Sequence, residues 1–286
     1  MKVAAIQMVS GPDVVHNLAR AQHWLVEAAA QGAELVSLPE YFCLMGHRDT
    51  DKLAVAEEAG DLTVPIQGFL SRTAAELGLW IIGGTLPLRT STSTSPATSA
   101  STPELVRNAC CVFNPEGQLA ARYDKMHLFR FDNGVEHYDE GRVLEAGNAP
   151  VTVQVGALKV GLSVCYDLRF PELYRAMSFA PGALLSDSPC ALLSVPAAFT
   201  YTTGAAHWEL LLRARAVENQ AYVIASAQGG LHENGRRTWG HSMVVDPWGE
   251  VLGCLAEGEG LVLADIDAAR LAAVRTQLPA LQHRRL

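Results

Sequence analysis

The sequence predicts an α/β fold. Short apolar runs alternate with stretches whose apolar residues recur at helical spacing, and Pro, Gly or a charged side chain closes most of the runs. "KVAAIQM" (Lys2 to Met8) reads as the first strand. From Val14 to Gln31, Leu18, Ala21, Leu25, Ala28 and Ala29 share one helical face, with Asp13 as N-cap and Gly32 as the stop. "ELVSLPE" (Glu34 to Glu40) is a buried strand closed by Pro39. A helix over Ile66 to Leu77 ends at Gly78, and "LWIIGGTL" forms the next strand. Farther on come a helix from Pro171 to Phe179, the strand "ALLSVPA", a helix from Ala205 to Gln220 and the strand "AYVIASA". The C-terminal third changes character. "HSMVVDPWGEVLGCL" sets two apolar runs around Asp246-Pro247-Trp248-Gly249, a hairpin signature, and a last helix begins after Asp267. No internal repeat is present.

"TSTSTSPATSASTP" (Thr90 to Pro103) holds only Ser, Thr, Ala and Pro. Such a composition buries no apolar surface, so the stretch is expected to be a disordered, solvated loop inserted between two strands of a single domain spanning 1–286.

Composition narrows the function. Of the 286 residues 49% are apolar and 18% charged, as in a well-packed soluble globule. The formal net charge of −8 argues against nucleic acid, whose affinity rests on neutralised phosphates. An anionic substrate would need a local cluster of cations. The six cysteines form no C-x-x-C, so zinc-ribbon and thioredoxin readings have no support. The opening apolar run is too short for a signal peptide, and no run approaches membrane-spanning length. These features predict a reduced, cytoplasmic protein with free thiols and no membrane partner.

"KVGLSVCYDLRFPELYR" (Lys159 to Arg175) is the richest stretch. An apolar run ends on Cys165, and Tyr166, Asp167, Arg169 and Glu172 follow at once. "GLSVC" narrowly misses the G-x-S-x-G elbow of serine hydrolases, but Ser163 sits inside the run while Cys165 occupies the strand-to-helix turn. Ser163 therefore reads as a buried hydroxyl. A free cysteine is most often core filling. Its place at a strand's carboxyl end instead suits a nucleophile. The helix starting near Pro171 would favour the thiolate through its positive end. Glu40 ends "ELVSLPE" and Lys125 ends "GQLAARYDK". Alone, each reads as a solvated surface charge. Together with Cys165 they supply what thiol attack on an amide needs: a base for the thiol proton and positive charge at the developing oxyanion.

The pieces "LPEYF", "YDKMHLF" and "CYDLRFPELYR" resemble the nitrilase, or carbon–nitrogen hydrolase, superfamily, and the likeness runs along essentially the whole chain. The resemblance implies a four-layer αββα sandwich, a homodimer, and a Glu-Lys-Cys triad at Glu40, Lys125 and Cys165. Its supporting glutamate falls on Glu140 in "HYDEGRVLEAGN". It further implies a cysteine amidase with no metal or organic cofactor, opening a small carboxylate-bearing ω-amide to acid and ammonia through a thioester. The Tyr166 N–H would join Lys125 at the oxyanion. "GHSMVVDPWG" and "LPALQHRR" look closest to the deaminated-glutathione amidase branch, and the ω-amidase branch is similar in the same places. The insertion "APGALLSDSPCALL" (180–193) departs from the pattern.

Substrate recognition has its own candidates. Arg169 is the cation nearest the nucleophile in sequence, unless Asp167 or Glu172 pairs with it. Phe199 and Thr200 follow a strand and, with Tyr166, are expected to line the pocket. Arg236 and Arg237 lie in a loop able to reach its mouth. Rival readings remain at this stage: an N-carbamoyl hydrolase or nitrilase, a non-catalytic binding protein on the same fold, a metal hydrolase using His127 and His137, and a Cys-His protease with His207 as base. No H-E-x-x-H supports the metal reading, and His207 falls at a helix start.

Overall fold

The computed structural model describes residues 1–90, 104–179 and 189–285. Apart from Thr90, the Ser/Thr-rich stretch lies outside the described residues, as does most of the 180–193 insertion.

The first half of the chain runs β1 (Lys2–Gln7), α1 (Val14–Ala30), β2 (Leu35–Ser37), α2 (Asp51–Ala54), α3 (Pro65–Leu77), β3 (Trp80–Ile82), β4 (Leu86–Arg89), β5 (Val106–Phe113), β6 (Leu119–Asp124), β7 (Arg130–Asp132) and β8 (His137–Asp139). The second half runs β9 (Val151–Val155), β10 (Leu158–Leu162), α4 (Pro171–Ser178), β11 (Leu192–Ser194), α5 (Tyr201–Asn219), β12 (Tyr222–Ala225), β13 (Ser242–Val245), β14 (Val251–Leu255), β15 (Gly260–Asp265) and α6 (Ala268–Gln277).

Two sheets result. The first has the order β15-β1-β2-β3-β5-β4, with β6 added on β5, and β1, β2 and β3 are parallel. The second has the order β14-β13-β12-β11-β10-β9, with β10, β11 and β12 parallel. The side-chain period of two sorts each strand between two neighbours. In β1, Val3 and Ala5 join a core with β10 and β11 residues, while Ala4 and Ile6 join one with Leu25 of α1 and Leu70 of α3. On the far side Tyr174 of α4 and Trp208 and Leu212 of α5 cover the second sheet. The layers are helix, sheet, sheet, helix. That is the four-layer sandwich the resemblance implied.

Local chemistry explains the boundaries. Asp13 caps α1 by accepting from His16 N at 3.0 Å, and Asp267 caps α6 by accepting from Ala269 N at 2.8 Å. Gly78 closes α3 in the left-handed region, at φ +64°. Two expectations need correcting. "LWIIGGTL" is not one strand, because Gly83 and Gly84 break it after Ile82. There the backbone of Gly84, at φ +55°, passes so near Pro39 that a Cβ would lie 2.1 Å from the carbonyl oxygen. The long helix begins at Tyr201, a turn before Ala205, so His207 sits within α5.

Candidate active site

Four segments that follow strands meet in one place: those after β2, β6, β10 and β11. The nucleophile candidate sits on a sharp turn. Ser163 N donates to Ser194 O at 3.1 Å and Cys165 N to Pro196 O at 2.9 Å, which carries the pairing with β11 past the end of β10. Cys165 then takes φ +49°, a left-handed conformation that non-glycine residues rarely adopt. A 3-10 turn over Cys165–Arg169 follows, and the Tyr166 N–H stands in its first turn, where no intrahelical acceptor exists. Ser163 is the buried hydroxyl expected, donating to Ser194 O at 2.7 Å and meeting the Tyr174 hydroxyl at 2.8 Å.

Asp167, fully buried, holds this elbow in place. Its Oδ2 accepts from Val164 N at 2.8 Å and from the Tyr123 hydroxyl at 2.7 Å. Its Oδ1 accepts from His127 N at 3.0 Å and lies 2.7 Å from His127 Nδ1. One carboxylate thus ties the elbow to the segment after β6. It also accounts for His127, whose ring stacks on Phe170 with centroids 3.7 Å apart. His137 pairs instead with Asp132 on the surface, 3.1 Å away. Among the described residues no three His, Cys, Asp or Glu side chains cluster as metal ligands would.

Lys125, Glu40 and Glu140 form a buried ionic knot. Lys125 Nζ donates to Glu40 Oε1 at 2.9 Å and to both Glu140 oxygens at 3.0 and 2.8 Å. Every carboxylate oxygen has a further donor. Glu40 Oε1 accepts from Asn108 Nδ2 at 2.8 Å, and Glu40 Oε2 from Ala198 N at 3.0 Å. Glu140 Oε1 accepts from the Tyr41 hydroxyl at 2.8 Å, and Oε2 from Phe129 N at 2.7 Å. Such saturation is what lets charges stay ionised away from water. Asn108 and Tyr41 were not singled out from sequence. Asn108 lies inside an apolar strand, where a lone buried amide was the available signal.

The charges follow. Burial alone would lower the Lys125 ammonium, but the Glu140 and Glu40 carboxylates outweigh it and hold it well above its ordinary value. Burial opposes ionisation of Glu140 as well, yet Lys125 holds that carboxyl below the usual range. The Cys165 thiol is pushed well up by burial and then by Glu40, more than Lys125 lowers it. This overturns the expectation of a thiolate favoured by a helix end. The α4 N-terminus stands at Pro171, beyond a separate 3-10 turn, with Glu172 in its first turn. Burial and the facing Glu40 thus favour the thiol over the thiolate, and attack by a thiol calls for a base.

A pocket of about 210 Å³ opens at the thiol, lined by Phe129, Cys165, Tyr166, Arg169, Phe199 and Thr200 among others. Neither Asp167 nor Glu172 forms an ion pair with Arg169. Its guanidinium lies 5.7 Å from the Tyr166 ring centroid and 5.4 Å from that of Phe199, and its Nη1 donates to His207 Nδ1 at 3.2 Å. The two loop arginines part company. Arg237 pairs with Glu257 at 3.3 Å and covers Tyr201, whereas Arg236 lies over Tyr138, 5.1 Å from its centroid.

Comparison with known proteins bears on the family. A family model described as carbon-nitrogen hydrolase matches residues 2–276. A deaminated glutathione amidase of Synechocystis sp. is 40% identical over 284 residues, covering 98% of this chain and 97% of that protein. The omega-amidase NIT2 of Homo sapiens is 36% identical over 285 residues, covering 99% and 95%. Among solved structures, an amidase from Nesterenkonia sp. AN1 superposes with a TM-score of 0.73 at 27% identity, covering 99% of each chain. The structure is of a mutant of that amidase, with acrylamide added at its active-site cysteine.

Proposed function

The chain belongs to the carbon–nitrogen hydrolase family, and from that premise we propose that it is a cysteine amidase acting on a small ω-amide next to a carboxylate-bearing 2-oxo end, with deaminated glutathione favoured over 2-oxoglutaramate. The observation that carries the reading is the buried Lys125 ammonium clasped by Glu40 and Glu140 beside a Cys165 thiol in a pocket wall.

In the proposed mechanism Glu40 takes the thiol proton as Cys165 Sγ attacks the amide carbon. Lys125 Nζ and the Tyr166 N–H receive the oxyanion. Glu40 then passes the proton to the departing nitrogen as the C–N bond breaks, leaving a thioester. Water deprotonated by Glu40 adds to the thioester, and the acid departs as the thiol is restored. Glu140, itself held by Tyr41, keeps Lys125 charged and in place. Arg169 receives the acyl-side carboxylate, with Phe199 and Thr200 along the chain. The expected release of ammonia needs one refinement. 2-Oxoglutaramate would release ammonia, but in deaminated glutathione the departing nitrogen belongs to cysteinylglycine. We further read the protein as a single-domain, cytoplasmic homodimer, in keeping with its free cysteines.

The test is kcat/KM for deaminated glutathione, 2-oxoglutaramate and a neutral aliphatic amide, side by side. The carboxylate-bearing substrates should win. A neutral amide or nitrile ahead by more than about tenfold, some 1.4 kcal/mol of transition-state binding, would sink the substrate assignment.

A further inference from the structure

The surroundings of the thiol carry two guanidinium groups that no carboxylate neutralises among the described residues. Arg169 is one, on the pocket wall formed after β10 and β11. Arg236 is the other. It is half-buried, its side chain lies over the Tyr138 ring, and no ion pair reaches it. Withdrawing a cation from water without a counter-charge is unfavourable, and a neighbouring arginine shows the alternative: Arg237 turns outward to Glu257.

Arg236 is not remote from the reacting centre. Tyr138 lies 5.7 Å, centroid to centroid, from Phe129, and Phe129 lies 5.1 Å from Tyr166 and lines the pocket. On the other flank stands Tyr41, whose hydroxyl donates to Glu140. Lys52 Nζ sits 4.4 Å from the Tyr41 ring centroid. Lys52 is buried, and its ion pair is a loose one to Asp49 at 3.6 Å. The loop that carries Arg236 packs on the same side, where Asn234 Nδ2 donates to Gly46 O at 2.7 Å, in the segment that follows Tyr41. The two cations therefore gather on the side of the centre where Glu40 and Tyr41 run.

That side has a chemical meaning. The group that protonates a departing nitrogen must face it, so the leaving amine lies toward Glu40, and the acyl chain lies toward Arg169. Resting on the amidase reading above, we propose that Arg236, backed by Lys52, forms a leaving-group subsite for the carboxylate of a departing amine such as cysteinylglycine. Two carboxylate-free cations then match the two carboxylates of an N-substituted substrate. A primary amide uses only one of them.

The test compares three substrates: deaminated glutathione, its C-terminal amide and 2-oxoglutaramate. Wild-type enzyme should process the free acid about tenfold or more better than the C-terminal amide, the scale of one charge-assisted contact. Arg236→Gln should lower the ratio of kcat/KM for deaminated glutathione over 2-oxoglutaramate by a similar factor, and Arg236→Lys should recover part of it. Equal handling of acid and C-terminal amide by the wild type overturns the subsite whatever the variants do. So does a proportional loss on both acids in Arg236→Gln, the mark of a merely structural arginine. A wild type that cleaves 2-oxoglutaramate while showing either result leaves the amidase reading standing. One that cleaves none of the three removes both.

Discussion

The Nζ of Lys125 lies 2.9 Å from Oε1 of Glu40, and neither side chain reaches solvent appreciably. Removing the ammonium strands two buried carboxylates. Lys125→Met is expected to lose about 3 kcal/mol of stability or more at neutral pH. It should also lose on the order of 10²-fold or more in kcat, the scale of one oxyanion donor. Urea melts and steady-state rates measure the two separately. Wild-type stability in this variant would contradict the ionic knot.

The same knot sets a pH dependence. The Glu140 carboxyl is held below its ordinary 4.5, so its contribution to stability is present above that value and is lost as the pH falls through the lower folded-state value. The Lys125 ammonium is held well above 10.5, so its contribution persists below that value and is lost only as the pH rises through the elevated one. Glu140→Gln should flatten the acid limb of stability against pH and weaken the alkaline one. Denaturation series on both proteins, from acid to alkaline pH, check this. Parallel acid limbs would show that Glu140 does not titrate with folding.

Cys165 should behave as a thiol. Cys254 is exposed and would react with general reagents first, so the measurement belongs in a Cys254→Ser background. There the rate of iodoacetamide labelling at Cys165 should still be rising as the pH reaches the ordinary thiol value of 9.0, because burial and Glu40 disfavour the thiolate. A plateau near neutrality would mean a preformed thiolate. Cys165→Ala should keep the fold and abolish turnover.

Much of this was legible in the sequence, for a physical reason. Glu40, Lys125 and Cys165 each stand where an apolar run stops, and such stops are local signals. The partners were not legible, because their pairings are distant in sequence. Asn108 meets Glu40 across 68 positions, and Tyr123 meets Asp167 across 44. Within "CYDLR" the residue types alone suggested an Asp167–Arg169 pair, but the backbone N–H groups of Val164 and His127 compete for that carboxylate and win. The environment of the Cys165 thiol is hidden from sequence for a similar reason. The nearby helix end is visible in sequence, whereas burial and the facing Glu40 arise only when the two sheets pack.

The break at Gly83 and Gly84 gives the last prediction, because it supports the turn that presents Glu40. A Cβ at Gly84 would meet Pro39 O at 2.1 Å and Leu38 O at 3.0 Å, both backbone atoms of the segment leading into Glu40. The next residue, Thr85, accepts from Tyr41 N through Oγ1 at 2.9 Å, so the two turns brace one another. Gly84→Ala must displace Pro39, and misplacing a catalytic group by about 1 Å can cost roughly 10²-fold in rate. Gly78 separates this from simple backbone strain. It has a similar φ of +64°, with no atom within 4 Å of an added Cβ. Gly78→Ala should cost only about 1 kcal/mol of stability, with kcat unchanged. Gly84→Ala should lose more stability and fall steeply in kcat. If the two variants show the same small loss, with Gly84→Ala retaining full kcat, the bracing of Glu40 by this turn is refuted.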